Sequence, residues 1–268
     1  MRVTSTLAFK SEQLGVQKFP ICVSVLAFEG VRTLNQTLHT NTILFKLVKE
    51  THVLFQQIDD PRRRAWAENL SSKYSLISHF QDKNIGQRLA FAELVSFCTQ
   101  PFILVLEEDF KAAADAHFAE QLQLGIHFLK SGTSAFRLRS RKFPGEPNYI
   151  HESWLRSGGA HGGRIPATHL IEYVTWDDAP EEYIKELNVC YRHPKTWCTS
   201  SKHAQYTNNP TLYSTDFLRW LVSQVPADAD LPFEGWLTRF WAQQSFTVAY
   251  SDGLFTHERL DRTLGEMR

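Results

Sequence analysis

The sequence predicts an α/β protein built on a central, mostly parallel sheet with helices on both faces. Three observations carry this expectation. Short runs of apolar and β-branched residues alternate with amphipathic segments over roughly the first 110 residues. The runs are apolar throughout rather than at every second position, the pattern of strands covered on both faces. Charged or polar residues follow each run, at the carboxyl ends where such sheets bind ligands.

Taken in order, residues 21–28 (ICVSVLAF) read as a buried strand, and 32–48 as a helix with Leu34, Leu38, Ile43, Leu44 and Leu47 near helical spacing. Residues 52–57 (HVLFQQ) read as a second strand, 62–72 as a short charged helix, and 74–80 (YSLISHF) as a third strand. Then follow an amphipathic helix at 85–98 and an apolar strand at 102–106 (FILVL). The second half is less regular: helix at 111–129, strand at 135–141, a Gly-, Pro- and His-rich loop at 143–168, and strand at 169–176. Residues 197–206 read as extended and Asn208-Asn209-Pro210 as a turn. Helices are expected at 215–225, with Thr215 as N-cap, and at 234–244, and a strand at 246–250. No linker or repeat interrupts the chain. One domain is expected over 1–268, with a nucleotide-binding half (18–110) and an acceptor-binding half (111–268).

Lys+Arg and Asp+Glu both number 29, so the formal net charge is zero. That balance argues against a nucleic-acid or anionic-membrane partner, which calls for a basic excess. No apolar run approaches the ~20 residues of a membrane span. The opening residues are too polar for a signal peptide. Cys22, Cys98, Cys190 and Cys198 form no CxxC pair and read as reduced core cysteines. A cytoplasmic location is the resulting expectation.

Glu107-Glu108-Asp109 directly follows FILVL. Three acids at the end of a buried strand repel one another. A hard divalent cation, Mn²⁺ or Mg²⁺, resolves that conflict, because carboxylates are its natural ligands. The competing explanation is an acidic turn favouring the start of a helix.

This order of strand, helix, strand, helix and apolar strand ending in acid-x-acid resembles the GT-A glycosyltransferases. ICVSVLAFEGVRTLNQTLHT is similar to that family's opening strand and helix, and NIGQRLAFAELVSFCTQPFILVLEED to its run into the acid motif. The likeness covers residues 18–110, and the motif here is Glu-Glu-Asp rather than Asp-x-Asp. It implies a GT-A (Rossmann-like) fold and a metal-dependent transfer from a nucleotide-sugar, UDP-sugar preferred, to a hydroxyl of a glycan or glycoconjugate. On that resemblance Ala27, Phe28 and Glu29 hold the nucleoside, with Arg32 near the phosphates. Asp59 faces the base or ribose, in competition with Asp60, and Asn84 and Arg88 lie by the nucleotide. Glu107 to Asp109 bind ribose and metal: Glu108 serves the nucleotide-sugar, Glu107 both, and Asp109 is the foremost metal ligand. His257 is the third ligand, with Arg259 and Arg262 available to the diphosphate.

Glu234, after Pro232 and beside Trp236, is in the place where inverting members of this fold keep the base that deprotonates the acceptor. It also suits a plain helix N-terminus. Asp216 is its competitor, read chiefly as a helix start. Arg62-Arg63-Arg64 serve either phosphate or solvent. Arg137, Arg139 and Arg141 share a strand face and pair with acids by default. The run 158–163 suits a lid, and Trp154, Trp176, Trp197, Trp236 and Trp241 are candidates for an acceptor platform. Two other readings stay open: a non-catalytic sugar- or nucleotide-binding module, and a nucleotidyltransferase on a similar sheet. Retention in place of inversion is a variant within the glycosyltransferase reading.

Overall fold

The computed structural model describes residues 17–28, 31–145, 167–173, 175, 176 and 178–260. One mixed sheet organises them. β1 (Phe19–Ala27) lies between β2 (Val48–Phe55) and β4 (Phe102–Glu107), with β3 (Ile77–Phe80) outside β2, and these four strands are parallel. β9 (Thr211–Ser214) runs antiparallel between β4 and β6 (Ala135–Arg139). β10 (Thr247–His257) is parallel to β6, and β8 (Lys195–Ser200) and β7 (Asn188–Arg192) continue antiparallel beyond it. The short β5 (Phe110–Ala112) pairs with the end of β10.

Side-chain alternation divides the core into two layers. Ile21, Val23 and Val25 of β1 pack with Leu34 and Leu38 of α1 (Val31–Thr40). Leu44 of α2 (Thr42–Leu47), Leu70 of α3 (Pro61–Tyr74) and Leu122 of α5 (Phe118–Lys130) complete that layer. Cys22 and Leu26 of β1 face the other way. There they meet Phe91 and Leu94 of α4 (Gly86–Phe97), Leu218 of α7 (Thr215–Ser223) and Trp241 of α8 (Phe233–Ala242). An apolar strand with no polar face is thus accounted for by helices on both sides. The predicted α/β class holds.

Local signals explain several boundaries. α3 starts at Pro61, and the Asp60 carboxylate accepts from the Arg62 N–H at 2.8 Å, a side-chain N-cap. Asp60 is therefore a capping residue, which leaves Asp59, exposed beside it, as the candidate of that pair. For α7 the cap is Ser214, whose hydroxyl accepts from the Phe217 N–H, and not the expected Thr215. The Thr215 hydroxyl instead donates to the Gln100 carbonyl at 2.6 Å.

Some expectations are corrected. The helix read over 32–48 breaks into α1 and α2 at Asn41, a buried residue whose amide donates to the Phe110 carbonyl at 3.0 Å. The helix read over 111–129 begins at Phe118, because Phe110–Ala112 pairs with β10 first. The strand read over 169–176 is instead α6 (Ala167–Tyr173). Seven residues cannot separate a strand from a buried helical turn by period alone. The four cysteines are not reduced: Cys22 bonds Cys98 and Cys190 bonds Cys198, each with Cα atoms 5.7 Å apart. The first bridge joins residues 76 apart in sequence, a proximity created only by packing α4 on β1. The cysteine argument for a cytoplasmic location falls with it. Among the described residues no helix is long and apolar enough to cross a membrane.

The default pairing of the strand arginines with acids holds for Arg137 and Arg141. Arg137 and Arg141 flank the buried Glu172 of α6 at 4.0 and 3.6 Å, and Tyr250 donates to the same carboxylate at 2.6 Å. Arg139 donates to the Pro144 carbonyl at 2.9 Å and the Asn209 side chain at 3.2 Å. Trp176, Trp197 and Trp241 are buried in the core, so they supply no acceptor platform. Trp154, Glu29, Arg262 and the glycine-rich run 158–163 lie outside the described residues.

Candidate functional site

The acid triplet closes β4 at the carboxyl end of the parallel strands. Leu104 and Leu106 belong to the layer of α1, α3 and α5, while Ile103 and Val105 belong to that of α4, α7 and α8. Parity therefore sends Glu107 toward α4 and α8. There the Gln87 amide of α4 donates to its carboxylate at 3.4 Å, and Glu234 of α8 is close enough to act on its charge. Glu108 points back across the sheet, and its carboxylate accepts from the Phe28 N–H at 2.6 Å, tying the ends of β1 and β4 together.

Asp109 is buried, at 2 % exposure, which is unusual for a residue just past a strand. Pairing of β5 with β10 brings His257 beside it. His257 Nε2 and Arg259 Nη2 each lie 2.9 Å from Asp109 Oδ2. The other oxygen, Oδ1, and the far ring nitrogen, His257 Nδ1, are buried without a hydrogen-bond partner. Glu234 stands in the first turn of α8, and its carboxylate accepts from the Asn208 N–H at 3.1 Å.

The three converging carboxylates respond differently to their surroundings. Burial, with the charges of Asp109 and Glu234 added, pushes Glu107 from the usual 4.5 up to about 8. Burial also raises Glu234, although the Asn208 N–H and the Arg137 charge oppose it. Burial works against the ionised form of Asp109 too, but His257 and Arg259 outweigh it and hold Asp109 below its ordinary range. Glu107 thus carries a proton at neutral pH, while Asp109 is an anion.

The other nominated residues lie around this end of the sheet. Ala27 ends β1 in the core, and the Phe28 carbonyl accepts from Arg63 at 3.3 Å. Arg63 also donates to the Gln57 carbonyl, so it clamps the ends of β1 and β2, while Arg64 pairs with Asp82. Arg32 is exposed in the first turn of α1. Asn84 is exposed, and its side chain accepts from the Gly86 N–H at 2.8 Å, a turn that starts α4. Arg88 is half-buried on α4, but it is Gln87 that reaches Glu107. Gln87 lies three and four residues before the buried Ala90 and Phe91, so a polar residue on an apolar helical stripe was its signal. Asn208 carries no such signal, because its role is played by the backbone. Asp216 is exposed and pairs with Arg219 in its own helix, away from the acids.

The chemistry of the donor set fits a hard divalent cation. Asp109 Oδ1 is a buried oxygen without a hydrogen-bond partner, and Glu107 is protonated because burial and the two neighbouring acids outweigh the charge of Arg259. The ligand atoms of Glu107, Asp109 and His257 are nonetheless not clustered. Among the described residues, the three ligand-type side chains within 4.8 Å of one another are Cys22, Glu50 and His52, elsewhere in the sheet.

Sheet order, parallel first half and acid-ended β4 together give a GT-A (Rossmann-like) fold. Among solved structures the chain is similar to TarS of S. aureus, residues 1–349, at 12% identity and a TM-score of 0.51, over 90% of this chain and 60% of that one. The same figures hold for TarS 1–349 in complex with UDP. Glucosyl-3-phosphoglycerate synthase from Mycobacterium tuberculosis, in complex with Mn²⁺, UDP and glucosyl-3-phosphoglycerate, matches at 13% identity and a TM-score of 0.48, over 92% of this chain and 74% of that one. The chain spans about three fifths of the TarS fragment and 37% of a longer TarS structure. No family model and no curated protein sequence matches it.

Proposed function

We propose that the chain is a glycosyltransferase that moves a sugar from a UDP-sugar to an acceptor hydroxyl with inversion. The observation that carries this reading is the meeting of Glu107, Asp109 and Glu234 at the carboxyl end of a GT-A sheet. A core has no use for three acids from β4 and α8 that raise one another's charge cost.

Glu234 is the base. Its raised affinity for a proton, caused first by burial, brings it toward the range where a carboxylate accepts the hydroxyl proton as the oxygen attacks. The Asn208 N–H holds one oxygen of that carboxylate and fixes its direction. Asp109, Glu107 and His257 would hold Mn²⁺ or Mg²⁺. When bound, that ion neutralises charge on the diphosphate leaving group. Arg259, already on Asp109, is placed to share in that neutralisation. The Ala27–Phe28 backbone, Arg32, Asp59, Asn84 and Arg88 surround the nucleoside side, with Glu29 and Glu108 assigned to the same subsite. The choice of UDP rests on the Asp59 position and on the fold shared with the TarS–UDP complex.

Two measurements test this. Thermal shift with UDP, GDP and CMP, each with and without Mn²⁺, is expected to give a metal-dependent rise with UDP alone, because a ligand of the native state stabilises it. Glu234→Gln is expected to abolish transfer while leaving the UDP shift intact. Undiminished transfer by that variant removes the base assignment, and absence of any nucleotide shift removes the reading as a whole.

A further inference from the structure

A second group of side chains lies far from the acids. Cys22, Glu50 and His52 extend from β1 and β2 on the α4 side of the sheet, and the C-terminal end of α4 delivers Cys98 to Cys22. Cys22 pairs in register with Ile103, whereas Leu26 pairs with Glu107. Four residues of strand place the group about 13 Å from the acid triplet.

We propose that the Cys22–Cys98 pair, once reduced, forms with Glu50 and His52 a binding site for a soft divalent cation of the Zn²⁺ kind, so that disulfide and metal exclude each other. One ligand atom each of Cys22, Glu50 and His52 lie within 4.8 Å of one another, and Cys98 Sγ is bonded to the first. His52 is 6 % exposed and its Nε2 is buried with no hydrogen-bond partner. Glu50 Oε2 is 3.8 Å from that nitrogen, beyond hydrogen-bonding reach.

The surrounding contacts prepare the ligands. His52 Nδ1 lies 2.9 Å from His79 Nε2, and the His79 ring stacks on Phe97. In the tautomer that has Nδ1 donating to His79, Nε2 keeps a bare lone pair beside Glu50 and the sulfurs, the arrangement by which a neighbour fixes a ligating imidazole. Glu50 accepts from the Thr99 and Gln100 N–H groups and the Thr99 hydroxyl, which fix the direction of its carboxylate. The residue after Cys98 thus already anchors the carboxylate.

The chemistry balances with a dithiol reductant. Its two sulfurs join and lose two electrons and two protons, and the Cys22–Cys98 bond breaks to give two thiols. The cation then displaces both thiol protons to solvent. Two thiolates, one imidazole and one carboxylate form a four-ligand set suited to tetrahedral Zn²⁺.

The test uses the full chain in a Cys190→Ala/Cys198→Ala background, which removes the other pair of sulfurs. Protein reduced with a phosphine and titrated with Co²⁺ is expected to develop a thiolate-to-cobalt charge-transfer band that Zn²⁺ abolishes. The oxidised protein is expected to show none, the Cys98→Ser variant, with one thiolate left, is expected to show a band of about half the intensity or less, and cobalt held by carboxylates alone gives no such band. His79→Phe retains the ring stack and is expected to weaken Zn²⁺ binding about 10- to 100-fold. Absence of the band in reduced protein with native circular dichroism overturns the proposal. So does Zn²⁺ affinity that is the same in oxidised and reduced protein, or a chain that unfolds on reduction and does not refold with Zn²⁺.

Discussion

Glu107 offers a quantitative check of the acid cluster. Its folded-state pKa of about 8 lies above the ordinary 4.5 of the unfolded chain. A raised carboxyl stabilises the fold fully below the unfolded value, and that contribution is lost as pH climbs through about 8. At ~1.4 kcal/mol per unit, the swing across this window is on the order of 5 kcal/mol. Relaxation and water entry reduce it, so a few kcal/mol is the expected size. For a chain of this length each kcal/mol moves Tm by about 2–4 °C. Glu107→Gln keeps the shape and the Gln87 contact but cannot ionise. In EDTA, the unfolding temperatures of wild type and variant are expected to be similar near pH 5.5 and to separate by roughly 10 °C near pH 8.5, the variant being higher. Mn²⁺ is expected to close the gap by favouring the ionised carboxylate in wild type alone. Parallel curves across the whole range, read by scanning calorimetry, would refute the claim that these acids are forced together.

Three further outcomes follow from packing and charge. Glu172→Gln leaves Arg137 and Arg141 without their shared buried anion and is expected to cost about 3–5 kcal/mol in urea unfolding. Gly125→Ala would normally gain helix propensity, but the added Cβ meets Leu212 Cδ2 at 2.8 Å and Phe136 Cδ1 at 3.0 Å. The expected net effect is a loss of about 1–3 kcal/mol, again by urea titration. Asp60→Ala removes the α3 N-cap and is expected to cost ~1 kcal/mol.

Much of the first half was legible because its signals are local. The apolar runs that became β1 and β4 needed only their own composition, and the acids after β4 only their position. α4 kept its predicted bounds to within a residue, since its stripe through Ala90, Phe91, Leu94 and Val95 repeats at helical spacing. The second half was less legible for an opposite reason. β7 and β9 are short, and their partners are distant in sequence, so neither was anticipated. α6 exists to bury Glu172 between two arginines 31 and 35 residues earlier, a need that seven residues do not announce.

The same distinction separates the parts of the candidate site. Asp109 and Glu234 were nominated from residue type and place, and the fold brings their helix and strand together. Gln87 was missed by one position: the family resemblance pointed to Arg88, whereas the phase of the helix turns Gln87 toward Glu107. Cys22 and Cys98 show the limit most clearly. Each reads as an ordinary core cysteine, and only the docking of α4 against β1 makes them partners. Their neighbour His52 reads as one polar residue in an apolar strand. Its meaning depends on β3 supplying His79 and on β1 supplying sulfur. Chemistry assembled within one strand end can be read along the chain, while chemistry assembled across three strands and a helix becomes visible only when the register is known.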